Sequence, residues 1–210
     1  MRAPAIDFGP ILHDELKGIH ELFEPDELAY LALTSKVELP IRDRLAFALY
    51  RRLDQNLVAR EWNRVDLAVL ADDGKTAEML LEAKALYTFD LIGDDAWVDR
   101  YPQKVRRDVA SLRARSDLVD RTQLFALVLA THPIAEAGSH LRQVAKYARD
   151  VGKAIAALGD AATVLREADR AIRAALPETS EIFCTGEIPG GSAYGVEIGV
   201  PYWLIAVGRT

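Results

Sequence analysis

Asp66 stands inside the apolar run Val65-Asp66-Leu67-Ala68-Val69-Leu70, and Glu82 and Lys84 follow in Leu80-Leu81-Glu82-Ala83-Lys84. Residues two apart on a strand share a face, so Glu82 and Lys84 point the same way. Between the two runs lies Asp72-Asp73-Gly74-Lys75, a turn-forming stretch, and together they read as a β-hairpin. Two carboxylates and an ammonium on adjacent strands suit metal-assisted phosphodiester cleavage. The carboxylates hold Mg²⁺ or Mn²⁺, while the lysine orients or deprotonates a water and screens the phosphate. A Glu-x-Lys pair alone is common on solvated strand faces, where cross-strand charge pairs contribute about 0.2–1 kcal/mol. Asp66 sets this one apart, because a carboxylate in so apolar a run needs a metal, a partner or a shifted pKa.

Whether the two carboxylates meet depends on register. A two-residue Asp73-Gly74 turn sets Asp66 against Leu81 and sends the acids to opposite faces. An odd loop centred on Gly74, or a bulge, sets Asp66 against Glu82 and brings Lys84 to the same face. The sequence leaves both open.

The elements that must hold this hairpin follow in order. Residues 7–34 read as a helical lead-in, with Glu24-Pro25-Asp26-Glu27 opening a helix whose first turn is acidic. Pro40 fits the first turn of a helix running to about Leu53, with Ile41, Leu45, Leu49 and Leu53 on one face. Strands are expected near 57–62, 65–71 and 78–86, followed by an irregular loop from Asp90 to Asp99. A helix over 101–115 turns Val105, Val109 and Leu112 inward, and Leu124 to Leu129 forms a fully buried strand. Beyond His132-Pro133, Leu141 to Leu176 reads as two alanine-rich helices broken near Gly159-Asp160. Glu181 to Ile188 and Tyr194 to Val207 then pair as a hairpin across Pro189-Gly190-Gly191-Ser192. Short connections make residues 1–210 a single domain.

This order resembles the PD-(D/E)XK nuclease superfamily, which includes restriction endonucleases and archaeal Holliday-junction resolvases. Lys36 to Ala46 looks like its acidic first helix, and Val58 to Trp62 like its first strand. Asp66 and Glu82-Ala83-Lys84 match its acidic position and Glu-x-Lys motif. Tyr101 to Leu112 is similar to the following helix, and Thr122 to Thr131 to the fourth strand. Val65 stands where many members have proline. The resemblance covers about residues 35–135. It implies an α/β (α+β) fold with a restriction-endonuclease-like αβββαβ core and a central mixed sheet. Residues 1–34 would be the lead-in and 136–210 a helical and hairpin extension. It further implies Asp66, Glu82 and Lys84 as catalytic residues. Asp66, Glu82, the Ala83 carbonyl and Glu38 would be the ligands of Mg²⁺ or Mn²⁺, with DNA ahead of RNA as substrate.

Charge bears on that substrate. The chain carries a net charge of −6, which disfavours a generic nucleic-acid binder. Its distribution is uneven, however. Residues 1–30 hold two basic and seven acidic groups, 36–60 six and three, and 100–121 seven and three. The basic segments flank the proposed site and can steer a phosphate backbone to one face. Arg42, Arg60, Gln103, Arg106 and Arg107 are the candidate nucleic-acid contacts. A single cysteine, Cys184, excludes a disulfide framework, and His13, His20, His132 and His140 lack zinc-ligand spacing. No apolar run is long enough for a signal peptide or a membrane span, so a cytoplasmic protein with no membrane partner is expected. A homodimer or larger complex stays open. The competing reading keeps the fold without the chemistry: a catalytically silent module that binds nucleic acid or regulates a larger assembly.

Overall fold

A computed structural model describes residues 6–54, 56–92, 100–115, 118–135, 137–146 and 161–208. The chain folds as α+β around a six-stranded mixed sheet of order β1-β2-β3-β4-β6-β5. Helix α1 (Phe8–Gly18) is capped by Asp7, whose carboxylate accepts from Gly9 N at 3.2 Å. After α2 (Glu27–Thr34) comes α3 (Glu38–Arg52), with Pro40 in its first turn, where a missing N–H costs nothing. Strands β1 (Leu57–Trp62), β2 (Val65–Leu70) and β3 (Ala77–Tyr87) form an antiparallel meander. Helix α4 (Arg100–Arg113) then carries the chain to β4 (Gln123–Pro133), which lies parallel to β3. Helix α5 (Ala161–Ala175) precedes the antiparallel pair β5 (Ser180–Ala193) and β6 (Val196–Val207).

The sheet is covered on both faces. Leu12, Leu45 and Leu49 from α1 and α3 pack on Leu67, Leu81 and Leu127, while Val109 and Ile172 from α4 and α5 pack on Leu80, Val128 and Trp203. Neighbouring strand residues therefore serve opposite layers, and β4 is buried along its length from Leu124 to Pro133. Two-sided burial explains why its sequence is continuously apolar instead of alternating.

The expected helices and strands up to β3, and α4, fall within a residue or two of where the periodicity puts them, while the strand expected over 124–129 runs on to Pro133. The C-terminal part departs in two places. Pro189-Gly190-Gly191-Ser192 is not the hairpin turn. β5 runs through it on the sheet's edge, with a bulge between Pro189 and Gly191, where Gly191 takes φ 82°. An edge position spares Pro a lost ladder bond, and the bulge uses glycine's freedom. The turn is Tyr194-Gly195, both left-handed at φ 55° and 74°, which suits a two-residue hairpin. The helix expected from Leu141 is also absent at its start: Ser139–Leu141 is a 3₁₀ turn followed by turns to Lys146. The break near Gly159-Asp160 and most of the loop from Asp90 to Asp99 lie outside the described residues. No helix among the described residues is long and apolar enough to cross a membrane.

Candidate active site

The β2–β3 hairpin closes on four residues, Asp72 to Lys75, with Ala71 N donating to Thr76 O at 2.9 Å. Asp73 caps this loop, accepting from Lys75 N and Thr76 N at 2.8 Å each. An even loop alone would send the two acids to opposite faces. A bulge corrects it: Leu70 pairs with Ala77 but Val69 pairs with Met79, leaving Glu78 as the extra residue. Beyond the bulge, Ala68 faces Leu80 and Leu67 faces Leu81, and the next position sets Asp66 against Glu82. Asp66 N lies 3.4 Å from Glu82 Oε2.

The ladder stops there. β3 continues to Tyr87 paired with β4 alone, so its N–H groups on the β2 side have no strand partner. Carboxylates take the place of that strand. Asp66 Oδ2 accepts from Ala83 N at 2.8 Å, and Glu38 Oε2 accepts from Ala85 N at 2.9 Å. Leaving either donor buried and unpaired would cost about 1–3 kcal/mol. Glu38 is thus the first residue of α3, yet it reaches the sheet instead of merely facing its own helix dipole.

Lys84 shares the face of Glu82, and its ammonium lies 3.3 Å from Asp108 Oδ2 on α4. Burial works against its charge, but Asp108, then Glu38 and Asp66, outweigh it and hold the Lys84 pKa above its ordinary value. The Glu82 carboxyl goes the other way, pushed up to about 8 by burial, then by the hydrogen bond and repulsion from Asp66, with Asp108 adding to it. The pair resembles other facing carboxylates that cannot both ionise without a cation.

A third acid completes a row. The β1–β2 register, which pairs Arg60 with Leu67 and Trp62 with Val65, sets Glu61 opposite Asp66. Like charges directly opposite destabilise a sheet, and the compensating cation is Arg42, one turn after Glu38 on α3. Its buried guanidinium pairs with Glu61, with Asp43 at 2.9 Å, and lies 3.7 Å from Asp66 Oδ1. Desolvation opposes the charge, but Asp43 and Glu61 overcome it and raise the Arg42 pKa. Glu61 itself takes a left-handed backbone, φ 55°, unusual for a side chain of its type.

The structure therefore brings Asp66, Glu82, Lys84 and Glu38 together, with Ala83 between the two motif side chains. Arg42 is buried against carboxylates. Arg60 is half exposed and bound to Asp43 at 2.8 Å. Gln103, Arg106 and Arg107 lie on the exposed face of α4. Glu61, which with Trp62 was a candidate from the sequence to line the cleft, belongs to the cluster, and so do Asp108 and Asp43, which were not singled out from the sequence. Asp108 had a signal, since it follows Val105 by three residues and precedes Leu112 by four, beside the helix's buried stripe. A separate cavity of about 490 Å³, bounded by Asp7, Gln123, Glu178 and Phe183, shares no residue with this cluster.

No three His, Cys, Asp or Glu side chains among the described residues form a ready-made ligand set. Mg²⁺ does not require one, because it keeps several waters and uses one or two carboxylates. The donors of Asp66 and Glu82 fit that habit: hard oxygens from facing strand positions, near enough that Asp66 helps raise the Glu82 pKa.

The sequence matches no protein-family model, and no curated protein or solved structure is significantly similar to it.

Proposed function

We propose that this protein is a Mg²⁺- or Mn²⁺-dependent nuclease that hydrolyses phosphodiester bonds in DNA, with a PD-(D/E)XK type of core. The observation that carries the reading is Asp66 facing Glu82 at the point where the β2–β3 ladder opens, with Lys84 on the same face. The element order α3-β1-β2-β3-α4-β4 supports it, as does the Glu38 carboxylate on the first of those helices. Asp66, Glu82 and the Ala83 carbonyl would hold the ion, with Glu38 beside them. When bound, it would supply a Lewis acid for the phosphate and a water more easily deprotonated. Lys84, paired with Asp108, would orient a water beside the phosphate and stabilise negative charge on the phosphoryl oxygens. Arg42 holds Asp66 and Glu61 in place.

The close approach of Arg42 to Asp66 favours a second reading, in which an internal cation has replaced the metal and the protein only binds. A Mn²⁺ titration separates the two. The nuclease reading expects one bound ion, lost in Asp66→Asn, a variant that still offers an oxygen to Ala83 N. A chain that binds no Mn²⁺ at pH 8 supports the silent reading instead.

A further inference from the structure

The outward stripe of α3 continues from the carboxylate cluster to a pair of exposed rings. Asp43, Phe47 and Tyr50 follow one another at helical spacing on this stripe. Asp43 touches Arg42, and Arg42 lies beside Asp66. Phe47 and Tyr50 are 54% and 65% exposed, and their rings stack at 6.3 Å and 23°. They lie about 7.5 and 12 Å from Arg42 along the helix axis. Two arginines lie on the same part of the surface: exposed Arg51 follows Tyr50 in the chain, and half-exposed Arg60 on β1 pairs with Asp43, one helical turn before Phe47.

We propose that Phe47 and Tyr50 form a stacking platform for unpaired bases, which makes single-stranded DNA or a single-stranded branch the preferred ligand of this face. Every base offers a π-face, so aromatic rings beside cations bind single strands without reading sequence. In a duplex the bases stack on one another and are closed to such a platform. The rings are also too small a patch for a second copy of this chain. Leu39, Phe47 and Tyr50, each roughly half exposed, offer about 300 Å² in all on the scale of whole aromatic side chains. A stable dimer needs about 800 Å² per partner. That a strand held here is cut rests on the nuclease reading; that it binds does not.

The test measures fluorescence anisotropy of a labelled oligothymidine and of a duplex of equal length, in EDTA so that nothing is cleaved. Wild type should bind the single strand more tightly than the duplex. Phe47→Ala/Tyr50→Ala should weaken single-strand binding about tenfold or more and change duplex binding less than twofold. Phe47→Leu/Tyr50→Leu, which keeps the patch apolar, should lose as much, whereas Tyr50→Trp should retain binding. Equal affinity of wild type and the alanine variant for the single strand overturns the platform. So does a wild type without single-strand preference, retention of binding by the leucine variant, or a dimer that the alanine variant disrupts. Cleavage in Mg²⁺ is read separately: intact single-strand binding without it removes the nuclease reading and leaves the platform standing.

Discussion

Glu78 is the extra residue that brings Glu82 opposite Asp66. Its bulge reverses the phase of β3 against β2, so an even four-residue loop still yields facing carboxylates. Its side chain is fixed as well, accepting from Asn56 Nδ2 at 2.7 Å and pairing with Arg121 at 3.5 Å. The bulge is therefore held from both neighbours, and the site's register with it.

Arg42 is the cation that Glu61, Asp43 and Asp66 share, so Arg42→Leu should destabilise the fold markedly at neutral pH. Removing one partner of a buried ion pair costs about 3–5 kcal/mol, and because Glu61 and Asp43 reach solvent the loss should sit near the lower end. Burial opposes the Asp43 charge, but Arg42 and Arg60 outweigh it and lower the Asp43 pKa below 3.8, so the stability this pair adds is present above that pH and is lost as pH falls below it. Chemical denaturation at pH 7 and at about pH 2 checks this: the deficit should shrink at the lower pH, and a deficit equal at both values would mean that lost packing, not lost charge, is responsible.

Glu82 links metal binding to pH. Its carboxyl is raised from 4.5 to about 8 in the folded chain, so the folded state holds this proton more tightly than the unfolded one. The group favours folding below pH 4.5, and that advantage disappears as pH rises through about 8. Metal-free melting temperatures should decline across this window, and Glu82→Gln should flatten the decline. Mn²⁺ must displace the same proton, so its affinity should rise with pH to about 8, with about one proton released per ion at pH 7. Calorimetry in two buffers of different ionisation enthalpy measures that proton.

Lys84 and Asp108 divide their labour between charge and position. Lys84→Ala should abolish cleavage while leaving the fold and Mn²⁺ affinity intact, because the side chain is 31% exposed and leaves no large cavity. Asp108→Asn should lower kcat with little change in KM, since the amide still reaches the lysine but no longer carries the opposing charge. Equal losses of Mn²⁺ affinity in both variants would place the pair in the metal's support instead.

Arg106 and Arg107 are exposed on α4 beside Asp108. If a phosphate backbone crosses this helix, reversing both charges should weaken DNA binding for every sequence and reduce the salt slope by about 0.9 per lost contact. Reversal of Glu21, in the acidic N-terminal segment, should not weaken it. An unchanged salt slope in the arginine variant would show that these residues are only solvated.

Much of this arrangement was legible because its signals are local. Ile41, Leu45 and Leu49 repeat at helical spacing, and the apolar run over 124–129 admits only a buried strand. Asp66 was conspicuous because its neighbours are apolar on both sides. Register was not legible, since whether Glu78 bulges depends on contacts from Asn56 and Arg121, far away in sequence. Glu61 was legible as a residue that could line the cleft, but its place opposite Asp66 and its pairing with Arg42 were not, for the same reason: both come from strand pairing and packing. Pro189-Gly190-Gly191 misled because turn-forming residues also serve edge strands and bulges.

The most direct measurement incubates the purified protein with linear, circular and branched DNA, with Mg²⁺, Mn²⁺ or EDTA, beside Asp66→Asn. Cleavage that needs the metal and vanishes in the variant is the predicted result. DNA left intact with either metal, or cut equally by Asp66→Asn, would contradict the assignment of Asp66 and Glu82 as a nuclease centre.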